Sequence, residues 1–343
     1  MDEAIDCAIP LAVPGNAALL PHLSEWWQAY ITESGYAGPE GAPYPARQVL
    51  GDVSADAATL VSLRAYLTGH RIVQGIVYAP YDLEALHNED LAAALATAVN
   101  EWQRVVWLEP EPRLRGSIVV RGRNPALAAA EIERLAADRR YVQVLLPVRA
   151  EALYGNRRYW PIFEAAARHR LPVALYAGGT PGMPTTPAGW TSYAIEDYVA
   201  YSQTFAAQVL SLVSEGVFAR YPDLRVVLIG SGCSWLPSLL WRFDKNWRGL
   251  RREVPWLVQP PSQYVRDALR LTLAPFDGPA GAEALLEFGD WCGSEALLLF
   301  AGHDPAILTQ KIFPILLAFL KPFFLSLHSL SENGIRPFSF CVH

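Results

Sequence analysis

The sequence has no excess of positive charge. Its 343 residues include 28 Lys and Arg against 34 Asp and Glu, which leaves a formal charge of -6. The acidic residues are dispersed along the chain and form neither a block nor a tail. Because binding to a phosphate backbone needs a basic face that releases counterions, this composition argues against a nucleic-acid partner.

Cysteine is also scarce, and the four Cys residues lie far apart in the sequence: Cys7, Cys233, Cys292 and Cys341. They offer neither the spacing of a zinc knuckle nor a CxxC redox pair, so a reducing environment is expected. The opening MDEAID has no basic region followed by an apolar stretch, which is the pattern of a secretory signal peptide. We therefore expect a cytoplasmic protein.

Short apolar or β-branched runs recur along the chain, and longer segments with helical spacing follow them. Continuous apolar runs such as VVLI are typical of strands buried on both faces of a parallel sheet. Eight such runs predict a TIM (β/α)8 barrel, an α/β fold. A doubly wound sheet is the alternative, but it more commonly has five or six strands, and IDCAIPLAVPGNAA has no GxGxxG fingerprint. The predicted strands are Ala4 to Ile9, Ile72 to Tyr78, Leu114 to Val120, Val142 to Leu146, Pro172 to Tyr176, Arg225 to Ile229, Leu269 to Leu273 and Leu297 to Ala301.

The segments between these runs place apolar residues three and four apart, which predicts outer helices. Asn124 and Pro125 form a predicted helix start, with a capping Asn before Pro at the first helical position. Two segments are exceptional. A long aromatic-rich excursion after the first strand, Leu11 to Leu67, is expected to cover the barrel mouth or a neighbouring subunit, and the Gly- and Pro-rich Ala177 to Tyr193 could shape a pocket or act as a lid. The predicted helices are Asn88 to Trp107, Pro125 to Asp138, Tyr159 to Arg170 and Ile195 to Ala219.

The active site of a TIM barrel lies where its strands end, so residues there are the first candidates. The sequence has no Ser-His-Asp order, no phosphate loop and no HExxH helix. Several polar side chains nevertheless follow the predicted strands: Asp6, Cys7, Tyr78, Tyr81, Arg121, Arg123, Arg149, Tyr176, Ser231, Cys233, Asp277, His303 and Asp304.

Long blocks of the sequence resemble the amidohydrolase-related proteins, the branch of the amidohydrolase superfamily that contains aminocarboxymuconate semialdehyde decarboxylase and related aromatic acid decarboxylases. The blocks include IDCAIP, VQVLLPVRAEALYGNRRYWPIFEAAARHRLPVALYAGG, GVFARYPDLRVVLIGSGCSW and LLLFAGHDP, and the resemblance runs from about residue 3 to residue 305. It implies a TIM-barrel hydrolase or carbon-carbon lyase that acts on small carboxylated or aromatic substrates. It also implies one Zn or another divalent metal, and a homodimer.

The sequence departs from the family pattern at the positions that would hold this metal. After strand one, the family's acid or His falls on Ala8 and its following His on Pro10. The His of strand five falls on Tyr176, and the acid or His after strand six falls on Gly230. The Asp after strand eight falls on His303, and a later His falls on Ala306. Because zinc catalysis needs about three protein ligands, we predict no metal ion for this chain.

Three possibilities are open. The chain could be a metal-independent hydrolase or lyase with His303 as general acid or base, Asp304 or Asp6 orienting it and Tyr176 donating a hydrogen bond. It could instead be a non-catalytic homologue that binds a small ligand or serves in assembly. The recorded sequence could also be altered at its end, where the apolar segment 306–343 has no family match and is a poor membrane span because Pro314, Lys321 and Pro322 interrupt it.

The candidate site residues follow from these possibilities. His303 and Asp304 are the catalytic candidates, and Arg149 and Tyr176 are the substrate-binding candidates. Arg149 would face a substrate carboxylate, although an exposed pair with Glu151 is the alternative. The expected domain is a barrel over residues 1–305, and the expected partner is a small carboxylated or aromatic molecule. Metal-dependent turnover is expected to be absent or severely reduced, with no membrane association.

Overall fold

The computed structural model describes residues 3–39, 59–179, 184, 186, 188–274, 276–278 and 282–302. In these ranges eight parallel strands form one sheet in sequence order. The backbone N–H of Cys7 donates to the carbonyl of Phe300 at 2.9 Å, which links the first strand to the end of the last. The predicted TIM barrel is therefore confirmed, and the doubly wound alternative is wrong. The strands are β1 (Ala4–Pro10), β2 (Ile72–Tyr78), β3 (Leu114–Val119), β4 (Tyr141–Pro147), β5 (Val173–Tyr176), β6 (Val226–Ile229), β7 (Leu269–Thr272) and β8 (Leu298–Leu299).

Burial explains the continuous apolar runs that predicted these strands. All seven residues of β4 are buried, and so are all four of β5 and of β6, because each strand has the barrel interior on one face and helices on the other. Two polar side chains occupy the interior: Gln143 Nε2 donates to Ser117 Oγ at 2.8 Å, and Ser117 Oγ donates to the carbonyl of Val77 at 2.8 Å.

The outer helices begin where the sequence supplies a cap. The Asn124 side chain accepts a hydrogen bond from the N–H of Leu127 at 3.2 Å, as predicted, and Asn88 caps the preceding helix in the same way. The α-helices are α1 (Asn16–Leu19), α2 (Glu25–Ser34), α3 (Leu60–Gly69), α4 (Glu89–Gln103), α5 (Pro125–Leu135), α6 (Trp160–Arg168), α7 (Ala194–Ser214), α8 (Val217–Arg220), α9 (Leu236–Leu250), α10 (Pro261–Ala268) and α11 (Ala282–Cys292).

The single helix predicted over Ile195 to Ala219 is wrong, because the chain breaks between α7 and α8. Gly216 lies at the break with a φ of 79°, in the left-handed region that favours glycine. A Cβ atom at this position would also meet the Trp256 ring at 2.5 Å. The indole nitrogen of Trp256 donates to the carbonyl of Ser214 at 2.7 Å, so the ring fills the space beside the break.

The described part of the excursion after β1 reaches the mouth of the barrel. Tyr81, just beyond the end of β2, donates from its hydroxyl to Asn16 Oδ1 at 3.3 Å, and Asn16 Nδ2 donates to the carbonyl of Tyr36. Residues 40–58 of the excursion, part of the Ala177 to Tyr193 segment, and residues 303–343 lie outside the described ranges. None of the helices within those ranges combines the length and apolar composition needed to cross a membrane.

Candidate active site

The predicted ligand-binding residue Tyr176 ends β5 at the mouth of the barrel. Its side chain is only 6% exposed, and its ring centroid lies 6.1 Å from that of Tyr78, at the end of β2. Burial raises the pKa of Tyr176 well above its ordinary value, and the nearby charges of Asp82 and Glu84 add to this effect. Tyr176 is therefore a neutral phenol at physiological pH, which can donate a hydrogen bond.

The predicted carboxylate-binding residue Arg149 follows β4, and the structure pairs it with two residues of α7. Its guanidinium binds the Asp197 carboxylate through both terminal nitrogens, and NH1 also lies 3.1 Å from the Tyr201 hydroxyl. The guanidinium carbon sits 4.0 Å from the centroid of the Tyr201 ring, a cation–π contact. Within the described part of the chain, the buried Arg149 Nε has no hydrogen-bond partner.

The alternative pairing of Arg149 with Glu151 is wrong. Glu151 instead contacts Arg123 at 3.2 Å and Arg158 at 3.0 Å. Arg149 pairs with Asp197 because α7 packs against the segment that follows β4. In that contact the Gln208 side chain accepts from the N–H of Tyr154 at 2.8 Å. Arg149 thus belongs to a partly buried group of charges that only the tertiary fold assembles.

Sequence reasoning missed an acidic residue at the same mouth, Glu84. It lies in the 3-10 turn Leu83–Ala85 that follows β2 and is 1% exposed. Its Oε1 accepts from the N–H of Gly122, beyond β3, at 2.6 Å, whereas its buried Oε2 has no partner among the described residues. The available signal was its position in the loop that follows β2, where only Tyr78 and Tyr81 had been named as candidates.

Electrostatics set Glu84 apart from an ordinary surface acid. Burial raises its pKa, and the nearby Asp82 acts in the same direction, while the Gly122 N–H and the Arg121 guanidinium partly oppose them. Arg121 itself holds the turn in place, since its Nε donates to the carbonyl of Leu83 at 3.1 Å and its NH2 to that of Leu86. The mouth therefore contains a buried carboxyl group that holds its proton to a higher pH than a surface acid does.

The described positions at which the family resemblance implies metal ligands do not fit a metal ion, whereas His303 and Ala306 lie outside the described residues. Ala8 and Pro10 offer no donor atom in their side chains, and Tyr176 is a buried neutral phenol. Gly230 has a φ of 76°, a conformation that an acid or His would adopt only with strain. Within the ranges that the structure describes, no three His, Cys, Asp or Glu side chains are grouped so that they could hold a metal ion.

Asp6, the acid nearest to these positions in β1, is engaged in structure. Its Oδ2 accepts from the Tyr66 hydroxyl at 2.6 Å and from the N–H of Gly302 at 3.2 Å, and its Oδ1 accepts from the N–H of Ala8 at 3.1 Å. The carboxylate thereby joins β1 to α3 and to the end of β8. The two catalytic candidates, His303 and Asp304, lie outside the described residues.

Three further candidates lie in structural settings. Asp277 accepts from the N–H groups of Cys233 at 2.6 Å and Ser234 at 3.2 Å, so it secures the turn before α9. Burial, reinforced by the Asp277 charge, raises the pKa of the Cys233 thiol, which makes it a poor nucleophile. Cys7 is a buried residue of the apolar core, as expected.

Comparison with known proteins identifies relatives of this barrel. A family model described as amidohydrolase matches residues 75–298. Gamma-resorcylate decarboxylase from Polaromonas sp. strain JS666 is 25% identical over 173 residues, which cover 47% of this chain and 52% of that protein. Its counterpart from Rhodococcus jostii is 24% identical over 199 residues, covering 52% and 55%. The chain thus spans about half the length of the curated relatives it matches.

Solved structures share the whole fold. An amidohydrolase from Mycobacterium avium subsp. paratuberculosis superposes with a TM-score of 0.69 at 16% identity, covering 89% of each chain. A dihydroxybenzoic acid decarboxylase from Polaromonas sp. JS666, solved with manganese and the inhibitor 2-nitroresorcinol, gives a TM-score of 0.64 at 20% identity, covering 89% of this chain and 87% of that one. The family model covers well over half of the sequence, and the barrel agrees with it. This chain therefore belongs to the amidohydrolase family.

Proposed function

We propose that this chain binds a small aromatic carboxylate at the barrel mouth and that its metal-dependent decarboxylation or hydrolysis is absent or severely reduced. One observation carries the proposal: Ala8, Pro10, Tyr176 and the left-handed Gly230 occupy the positions that would ligate the metal, on a barrel whose strands are intact. Such selective replacement fits a redirected site better than general loss of the fold.

The ligand class is supported by the relatives and by the chemistry of the mouth. The curated relatives are named for gamma-resorcylate, and one solved relative holds 2-nitroresorcinol. Here the Tyr78 and Tyr176 rings supply an aromatic surface, and the Tyr176 hydroxyl supplies a donor. The Arg149 guanidinium supplies a cation beside them, held by Asp197 and Tyr201.

Elemental analysis of protein purified without chelator tests the loss of the metal. We expect essentially no Zn, Mn or Fe per chain, and no uptake when Zn²⁺ or Mn²⁺ is added to folded protein. About one equivalent of metal per chain would overturn this part of the proposal and would call for a decarboxylase screen. Loss of bound metal caused by misfolding is excluded if the same preparation gives a cooperative thermal transition.

A metal-independent hydrolase or lyase built on His303 is the second candidate. His303 directly follows Gly302, whose N–H is bonded to Asp6 where β8 meets β1, and imidazole is the side chain that titrates nearest neutrality. His303 would act as general acid or base, with Asp304 orienting it. The His303→Ala variant should then lose any turnover of aromatic acids, and unchanged turnover would remove His303 from the mechanism.

We also propose the homodimer that the family resemblance implies. The Trp26 side chain on α2 is 63% exposed, and its ring stacks on that of Tyr30 at 5.6 Å between centroids. Aromatic residues are enriched at protein interfaces, so this surface suits a subunit contact. Sedimentation equilibrium should give twice the mass of the chain, and the Trp26→Ser variant should shift the protein toward monomer. A monomeric wild type at micromolar concentration contradicts the proposal.

A further inference from the structure

Glu84 lies in the turn after β2, at the end of the barrel where Tyr78 and Tyr176 end their strands. Its Oε1 accepts from the Gly122 N–H, so the buried Oε2, which has no partner among the described residues, is the atom that can carry a proton. A Cβ atom at Gly122 would lie 3.2 Å from Glu84 Oε1 and 3.4 Å from the Tyr154 hydroxyl, which shows how closely the segments after β2, β3 and β4 converge.

The groups around Glu84 leave its charge incompletely compensated. The Arg121 guanidinium is the nearest cation but donates to backbone carbonyls of the same turn, and Tyr154 donates its hydroxyl to the carbonyl of Pro147 at 2.9 Å. The Glu84 charge is felt at Tyr176, the phenol of the proposed ligand site. The charged and titratable groups that surround Glu84 from the adjoining elements are Asp82, Arg121, Arg123, Tyr154, Arg158, Tyr159 and Tyr176.

We propose that Glu84 couples ligand binding to proton binding. The mouth accepts an aromatic carboxylate while the Glu84 carboxyl group carries a proton, and it rejects the same ligand once Glu84 is ionised. Two anions buried near each other repel strongly in a medium of low dielectric constant, whereas a neutral carboxyl group removes the repulsion. The inference rests on the proposed function, because it names the residue that decides when that site accepts an anion.

Isothermal titration of the full-length protein with 2,6-dihydroxybenzoate between about pH 5 and pH 8.5 tests this coupling. Its carboxylate stays ionised throughout, so the ligand itself adds no pH dependence. We expect the dissociation constant to rise by up to about tenfold for each pH unit above the pKa of Glu84. In that range, titrations in buffers of different ionisation enthalpy should show proton uptake on binding.

Three controls separate the effect of Glu84 from those of the ligand and of His303. The isosteric Glu84→Gln variant, which keeps an acceptor for the Gly122 N–H, should bind with little pH dependence. Resorcinol, the same ring without the carboxylate, should bind wild-type protein with an affinity that changes little with pH. The His303→Gln variant should keep the wild-type pH dependence, because the imidazole is not its source.

The outcomes distinguish the two proposals. A flat wild-type profile, or a pH dependence that persists in Glu84→Gln, overturns the role of Glu84 and leaves aromatic carboxylate binding intact. If no binding of 2,6-dihydroxybenzoate is found at any pH in folded protein, the proposed ligand class itself fails. If Glu84→Gln does not fold, proton uptake measured with wild type and His303→Gln decides the question.

Discussion

The helix layer of α4 and α5 and the mouth of the barrel each bury a glutamate, but they treat it differently. In the helix layer, Glu131 accepts four hydrogen bonds, from Asn100, Thr97 and two nitrogens of Arg134, at 2.8–3.0 Å. At the mouth, Glu84 accepts from the Gly122 N–H through Oε1, whereas its Oε2 has no partner among the described residues. A buried charge that is fully bonded contributes to architecture, whereas one with an unused oxygen costs stability and is a candidate for function.

The largest expected effect lies at the seam between β1 and β8, where Asp6 resembles Glu131 in being fully engaged. Asp6→Ala should lower the free energy of unfolding by about 3 kcal/mol, because the Tyr66 hydroxyl and the Gly302 N–H both lose their acceptor. Urea denaturation measures this loss. Tyr66→Phe, which removes one of these bonds, should cost about 1 kcal/mol. Equal stabilities of wild type and Asp6→Ala would show that the seam does not depend on the carboxylate.

A second variant tests the helix layer itself. Glu131→Ala should lower the free energy of unfolding by about 2 kcal/mol, because Asn100 and Thr97 lose an acceptor, whereas the partly exposed Arg134 can bind water instead. The matched control is Glu133→Ala on the same helix, whose pairs with Arg168 and His169 are exposed. That control should change stability by less than about 0.5 kcal/mol in the same denaturation experiment. Similar losses in both variants would contradict the contrast between buried and exposed acids.

A third variant tests the cation of the mouth. Arg149→Ala should weaken binding of 2,6-dihydroxybenzoate by about tenfold, which equals about 1.4 kcal/mol, because the ligand loses the cation held by Asp197 and Tyr201. The ligand-induced rise in melting temperature measures the change. Arg168→Ala removes an exposed guanidinium that pairs with Glu133 and Glu164 on the outer helices, and it should leave the shift unchanged. Equal shifts in wild type and Arg149→Ala would exclude Arg149 from the site.

The smallest expected effect is a gain in stability when Glu84 is replaced, opposite in sign to the losses expected at Asp6 and Glu131. The pKa of Glu84 is raised in the folded protein, so folding takes up a proton and stability falls as the pH rises from about 4.3, the unfolded value, to the folded pKa. Glu84→Gln avoids this cost and should be more stable than wild type near pH 8, with no gain near pH 4. Urea denaturation at several pH values follows the difference. Glu131→Gln should destabilise at pH 8, and a loss of stability in both variants would erase the distinction between the two regions.

Local patterns predicted the barrel well and the site only in part. All eight strands were located, and Asn124 caps its helix as predicted, because both depend on the spacing of residues close in sequence. The break at Gly216 was missed, since it depends on the Trp256 ring that packs there. Arg149 follows β4 and Tyr176 ends β5 as expected, but their role in binding a ligand stays a prediction. The buried Glu84 was not among the candidates, and of the two alternatives for Arg149 the pairing with Glu151 is wrong.

The sequence by itself determined the family, the strand order and the absence of metal-binding atoms from the side chains of Ala8, Pro10 and Gly230, because the residue types are sufficient for those inferences. Only the tertiary structure decided which charges are paired. Arg149 forms an ion pair with Asp197 of α7, and Asp6 of β1 accepts a hydrogen bond from Gly302, which follows β8. The pKa of Glu84 likewise depends on the tertiary structure, because its burial and the surrounding dipoles arise only when segments far apart in the chain are brought together.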